Sequence, residues 1–534
     1  MTKSMILHMA SLSLMAGPLF AAAAETDATL PSCFIKDGDR VAFFGDSITA
    51  ANAYCALTEQ VFRHFHPEAK VTFMVNGYSG MTLAGTKLDM ITGGDPNVVT
   101  IMMGMNDAGR AWSRGMPMAP VAAAYKAKLG TLVDELKAKD IQVVILTPTL
   151  SDATAGANLE GKARLMTEFG KACEEVAKEK SVHCVPVQSE LEAYAATLPA
   201  PVVLRPDGVH PNARGHYQVA RSLWQHLNFA GNLGGERSVG TAQPQLDVGL
   251  ALATNMLPDD AETLAFTITT PKPVRATVTW SLGATRGKEA LNLTGKDSWT
   301  LKLPPGMLPQ TAGKSVTLVL DVESQGLRRV FVVDVFRKMV VRGKDGVATG
   351  TMADAQGRQV CTYQFRKTGK ALLFEADVKK QELFQTNDYQ SPWGRGDALT
   401  LYLDTREATK LSGLGFDGGV YQLWFRPQDK PVFSPGFYAY SGKFQPSVAT
   451  AHGARTAAGY KVGLAFAEPA AERDFIGFDL QVITAEAIGK QTWNSLQSSD
   501  RPMFLFPGVF AIADLYGKLP GDSVSAASIF PDNL

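Results

Sequence analysis

The chain is predicted to be multidomain: an α/β, flavodoxin-like three-layer domain with a parallel sheet, followed by β-sandwich domains. Three observations carry this. Residues 38–230 alternate short apolar runs with longer periodic segments; a Gly-rich break follows at 231–235; and the remaining residues read as strands. At 534 residues the chain exceeds the usual size of one domain.

The N-terminus comes first. Lys3 precedes an apolar run from Met5 to Phe20, and Ala21-Ala22-Ala23-Ala24-Glu25 follows. A charged start, an apolar core and small residues at the end are the pattern of a cleavable signal peptide, here residues 1–24. The expected location is therefore secreted or periplasmic, with no membrane span in the mature chain. Lys plus Arg and Asp plus Glu number 52 each. That balance gives no electrostatic footprint for nucleic acid, so none is expected as a partner. The oligomeric state is not legible.

In the first domain, taken as residues 25–232, the runs Val41–Phe44, Val71–Val75, Val98–Met103, Ile141–Leu146 and Val182–Val187 read as strands, and Val121–Lys139 and Leu159–Lys180 as helices. Five such units imply a parallel, doubly wound sheet. Beyond it, residues 236–337 read as a small β-sandwich spacer and 338–534 as a larger sandwich. The first domain is expected to work alone on small soluble substrates, so truncation after about residue 232 should spare that work.

Four segments carry chemistry. Gly45-Asp46-Ser47 ends the first strand, Asn76-Gly77-Tyr78-Ser79-Gly80 follows the second, Gly104-Met105-Asn106-Asp107 follows the third, and Asp207-Gly208-Val209-His210-Pro211 precedes the last helix. The carboxyl edge of a parallel sheet is where such folds bind ligands. A serine hydroxyl needs a base to take its proton, which His210 can do, and Asp207 can orient the imidazole. The backbone N–H groups of Ser47 and Gly80 and the amide of Asn106 can receive a developing oxyanion. Taken alone, Gly-Asp-Ser reads as a turn and helix cap.

No cofactor and no metal are implied. The five cysteines show no metal spacing, with Cys33–Cys55 and Cys173–Cys184 as local pairings and buried free thiols as the alternative. His64 and His66 lack a third ligand and read as a solvated helix end.

As a set, the four blocks resemble the SGNH (GDSL) hydrolase family. The resemblance implies Ser47 as nucleophile, Asp207 and His210 as the rest of the triad, and Ser47, Gly80 and Asn106 as the oxyanion hole. Where many members carry a glycine soon after the serine block, this chain has Thr49-Ala50-Ala51-Asn52. The stretches "ALLFEADVKK", "SPWGRGDALTLYLDTR" and "IGFDLQV" resemble family 9 carbohydrate-binding modules. By that resemblance Trp393, Trp424 and Trp493 are candidates for stacking on sugar rings, against a bland role in the core. The expected function is an exported serine esterase deacetylating an acylated carbohydrate through an acyl-enzyme. A lipase or thioesterase for lipid-like acyl esters, and a catalytically silent glycan-binding protein, are the alternatives.

Overall fold

In the computed structural model, the described residues are 32–530, apart from 152–159, 199–203, 205–207, 241–243, 254–255, 258–261, 370, 386–395, 408–410, 412–418, 429, 434–435, 440–447, 468–469, 488–489, 497–509 and 520. The expected signal peptide, Asp207 and Trp393 lie outside them.

The first domain contains β1 (Arg40–Gly45), α1 (Ser47–Ala50), α2 (Ala53–Phe65), β2 (Thr72–Gly77), α3 (Leu88–Thr92), β3 (Val98–Met102), α4 (Met105–Ser113), α5 (Met118–Lys137), β4 (Gln142–Leu146), α6 (Glu160–Lys180), β5 (His183–Val185), α7 (Val187–Thr197) and α8 (Ala213–His226). The five strands are parallel in the order β2-β1-β3-β4-β5. Every residue of β3 is buried, as expected of a strand covered by helices on both faces. The order reverses between β1 and β3, so their carboxyl ends open the crevice in which doubly wound sheets bind ligands.

The β-rich half holds two sandwiches. In the first, one sheet joins the strands 285–293, 274–282, 315–324, 327–344 and 523–530. A three-stranded sheet, 296–302, 263–269 and 249–252, covers it. Phe266, Trp299, Val278, Leu320 and Val333 fill the space between them. In the second sandwich, Phe365, Phe374, Leu401, Phe425 and Phe478 form a separate core.

The division drawn near residue 338 falls inside one continuous strand, Leu327–Lys344. Its first part pairs with the chain's last strand, Phe530 opposite Val332 and Ser523 opposite Met339. Its end runs parallel to Ile512–Asp514. The last strand thus returns to the sheet of the first sandwich. A partner some 190 residues away in sequence leaves no local trace, so a composition shift could not reveal it.

Nor is the first domain a separate body. Side chains alternate faces along a strand. Leu318, Leu320 and Val333 point into the sandwich, while Val319, Val330, Val332 and Phe336 share one apolar cluster with Phe62, Tyr217, Trp224 and Phe229 of the α/β domain. Tyr217 donates its hydroxyl to Val330 O at 3.1 Å. Arg286 donates to the carbonyls of His64 and Arg63 at 2.7 and 2.6 Å, closing the end of α2. His64 is 5% exposed and its Nδ1 lies 2.7 Å from Ser281 Oγ, so the solvated helix end expected there is a buried interface.

All five cysteines are free thiols, and four of them are buried. Trp424 is 2% exposed and packs with Ala398 and Ile483. Its expected place on a sugar-stacking surface is corrected: it is buried, on the face of its strand opposite to Leu423 and Phe425, which point into the second core. Trp493 lies in the strand Lys490–Ser495.

Candidate active site

β1 delivers Phe44 and Gly45 into a tight turn. A Cβ on Gly45 would meet Thr49 Oγ1 at 2.0 Å and Met102 O at 2.8 Å, so only glycine fits between α1 and the end of β3. Asp46 caps α1, its Oδ1 accepting from Ile48 N–H at 3.0 Å. Ser47 is the first residue of that turn, with its side chain at the cleft.

His210 arrives from the opposite side. Its loop is pinned by an antiparallel bridge between Leu204 and Pro211, and by Asn212, whose Oδ1 accepts from Gly215 N–H at 3.1 Å to cap α8. His210 Nε2 lies 2.9 Å from Ser47 Oγ. That is hydrogen-bonding distance across a sequence separation of 163 residues.

The other predicted residues gather around this pair. Ser47, Gly80, Asn106 and His210 line one cleft of about 630 Å³, together with Ser79, Arg110 and Lys162. Gly80 has φ +75°, a left-handed conformation that sets the direction of its peptide. Asn106 sits in the first turn of α4, and its Nδ2 donates to Met81 O at 3.0 Å and to Asp46 Oδ2 at 3.3 Å. Asp107 accepts Leu83 N–H at 3.0 Å, and Arg110 Nη2 donates to Gly80 O at 2.8 Å. Both tie the second block, or the turn that follows it, to α4.

Asp46 is 2% exposed. Burial pushes its carboxyl up from the ordinary 3.8 to about 6, against the Ile48 N–H, which favours the ionised form. Among the described residues no group of three or more His, Cys, Asp or Glu could hold a metal ion.

Sequence reading missed Asp46 as more than a cap, and missed Arg110 and Lys162 altogether. Arg110 had a signal: it follows Asn106 by four residues, which on a helix places the two on one face. Lys162 had none, because it reaches the cleft only through the packing of α6 beside α4, where its ammonium lies near Gly109.

Residues 43–218 match the GDSL-like Lipase/Acylhydrolase family. This part of the chain is a GDSL/SGNH hydrolase domain. An acetylxylan esterase of Geobacillus stearothermophilus is 26% identical over 217 residues, 36% of this chain and 96% of that protein. Among solved structures, a variant of Axe2, an acetyl xylan esterase of the same organism, has 26% identity and a TM-score of 0.33, covering 37% of this chain and 97% of its own. LAE5, an alpha/beta hydrolase enzyme from the metagenome of Lake Arreo, has 23% identity and a TM-score of 0.33, covering 38% of this chain and 100% of its own.

Proposed function

We propose that the protein is an exported serine esterase that removes acetyl groups from a carbohydrate. The observation that carries the chemistry is the 2.9 Å approach of His210 Nε2 to Ser47 Oγ at the mouth of the cleft. The family match and the acetylxylan esterase relative support an ester hydrolase.

In this reading Ser47 Oγ attacks the ester carbonyl carbon as its proton passes to His210 Nε2. Asp207, three residues before His210, orients the imidazole through Nδ1–H and steadies the imidazolium. The carbonyl oxygen becomes an oxyanion, received by the N–H groups of Ser47 and Gly80 and by Asn106 Nδ2. On collapse the C–O bond to the sugar breaks, and its oxygen takes the proton from His210. Water, deprotonated by the same histidine, then hydrolyses the acyl-serine.

The support for a carbohydrate ester comes from polar groups in the cleft beside Ser47. Ser79, Ser113, Asn106 and Arg110 offer hydroxyl, amide and guanidinium groups that a sugar can bond, on a lining that also carries the apolar Ile48, Met105 and Val209. The start of the chain, with its signal-peptide pattern, supports export. The proposal is tested with p-nitrophenyl acetate, butyrate and octanoate beside acetylated xylan. Preference for acetyl and release of acetate from xylan are expected. Preference for octanoate, with xylan untouched, would move the lipid-ester reading ahead.

A further inference from the structure

An amide nitrogen has two hydrogens to give. Asn106 Nδ2 gives them to Met81 O at 3.0 Å and Asp46 Oδ2 at 3.3 Å. In the resting site an oxyanion therefore reaches this donor only by taking over, or sharing, one of those bonds. The bond to Asp46 is the longer, so it is the one more readily surrendered. The bond to Met81 is to the backbone just after the second block.

We infer that Asp46 is a positioning residue for the oxyanion hole: its carboxylate holds the Asn106 amide in the resting enzyme and yields it to the substrate's oxyanion in the transition state. This rests on Ser47 as nucleophile and Asn106 as an oxyanion donor. Asp46 can play the part because it cannot wander. Its other oxygen is fixed by Ile48 N–H at 3.0 Å, and the residue is 2% exposed. A loose Asn106 side chain would have to be ordered at the moment of reaction, whereas a donor already aimed needs no reorganisation. The exchange swaps one acceptor for another on the same N–H, and no proton moves. The titratable groups that bear on Asp46 are His210, Asp107 and Lys162. Of these, Lys162 offsets the repulsion between a carboxylate and an oxyanion sharing one donor.

The test is a double-mutant cycle on p-nitrophenyl acetate. Asp46→Asn keeps an oxygen for Ile48 N–H but presents no carboxylate to Asn106. A kcat lowered by roughly tenfold or more with KM within about twofold is expected, the pattern of a group that acts only in the transition state. In an Asn106→Ala background the same change should cost nothing further, because the residue through which Asp46 acts is gone. A second full loss in that background, or an unchanged kcat in the single variant, would overturn the role. If Asp46→Asn melts below the assay temperature, Asp46→Ser carries the same test, since serine also caps a helix but is too short to reach Asn106. An active Ser47→Ala would remove the underlying reading altogether. An inactive Ser47→Ala beside a fully active Asp46→Asn would remove only the role of Asp46.

Discussion

Tyr217 of α8 and Phe530 of the last strand stack with ring centroids 5.5 Å apart and planes 16° from parallel. The chain's final strand is thus packed on the helix that begins three residues after His210. Removing the Phe530 ring should cost roughly 3–5 kcal/mol, the range for a fully buried phenylalanine cut to alanine. Denaturant unfolding of Phe530→Ala against the parent measures it. A change under about 1 kcal/mol would mean that the interface repacks or is not closed.

The same interface decides what truncation does. Cutting after residue 232 removes Val319, Val330, Val332, Phe336 and Phe530 from the core they share with Tyr217, Trp224 and Phe229. The expectation that the first domain works alone on small esters is therefore reversed. A 32–232 fragment should aggregate or unfold without cooperativity, and should lose activity on p-nitrophenyl acetate too. A soluble fragment with full turnover would show that the β domains are dispensable.

Trp424 separates packing from binding. Because it is buried with Ala398 and Ile483 on the face of its sheet turned away from the second core, Trp424→Ala should lower the melting temperature sharply, on the scale of roughly 3–5 kcal/mol for a buried tryptophan. Binding to insoluble xylan, measured by pull-down at a temperature where the variant is folded, should not change. Loss of pull-down with unchanged melting would restore the sugar-stacking role.

Much of the α/β domain was legible because its strands are short apolar runs and its helices are periodic. The predicted run Ile141–Leu146 is β4, Gln142–Leu146, and the predicted helix Leu159–Lys180 is α6, Glu160–Lys180. The clustering of Ser47, Gly80, Asn106 and His210 was legible because each sits at the end of an element whose place in a doubly wound sheet is fixed. What depends on distant partners was not. His64 becomes buried only because Ser281 and Arg286 arrive from another domain, and the strand 523–530 finds its sheet across the whole β half. Trp424 on its strand reads alike whether it faces solvent or core, since alternation gives two faces but not which one is covered.

Asp46 also sets a pH dependence of stability. Its carboxyl is raised in the folded chain, so the native state holds a proton that the unfolded state has released. Stability from this group is full below about pH 4 and falls as pH rises towards about 6. Asp321, pushed up to about 6 by burial, acts in the same window. Asp46→Asn removes one share, so it should flatten the fall by about 2–3 kcal/mol, two pKa units at 1.36 kcal/mol each. Melting from pH 4 to 7 checks this. A steeper fall in the variant would contradict the burial argument.

Asn106→Ala should lower kcat by roughly 10²–10³ with a smaller change in KM, the scale for one preorganised donor. Steady-state kinetics on p-nitrophenyl acetate give both constants. A raised KM with intact kcat would make Asn106 a binding residue for the ground state instead.

The central claim is that Ser47 is the nucleophile, and a fluorophosphonate ester tests it most directly. Intact-mass analysis followed by peptide mapping of the full chain should find one phosphonyl adduct, on Ser47, with esterase activity lost in proportion to labelling. Ser47→Ala should take up no label and turn over no p-nitrophenyl acetate while melting within a few degrees of the parent. Label on another residue, Ser79 above all, or near-full turnover by Ser47→Ala, would contradict the account.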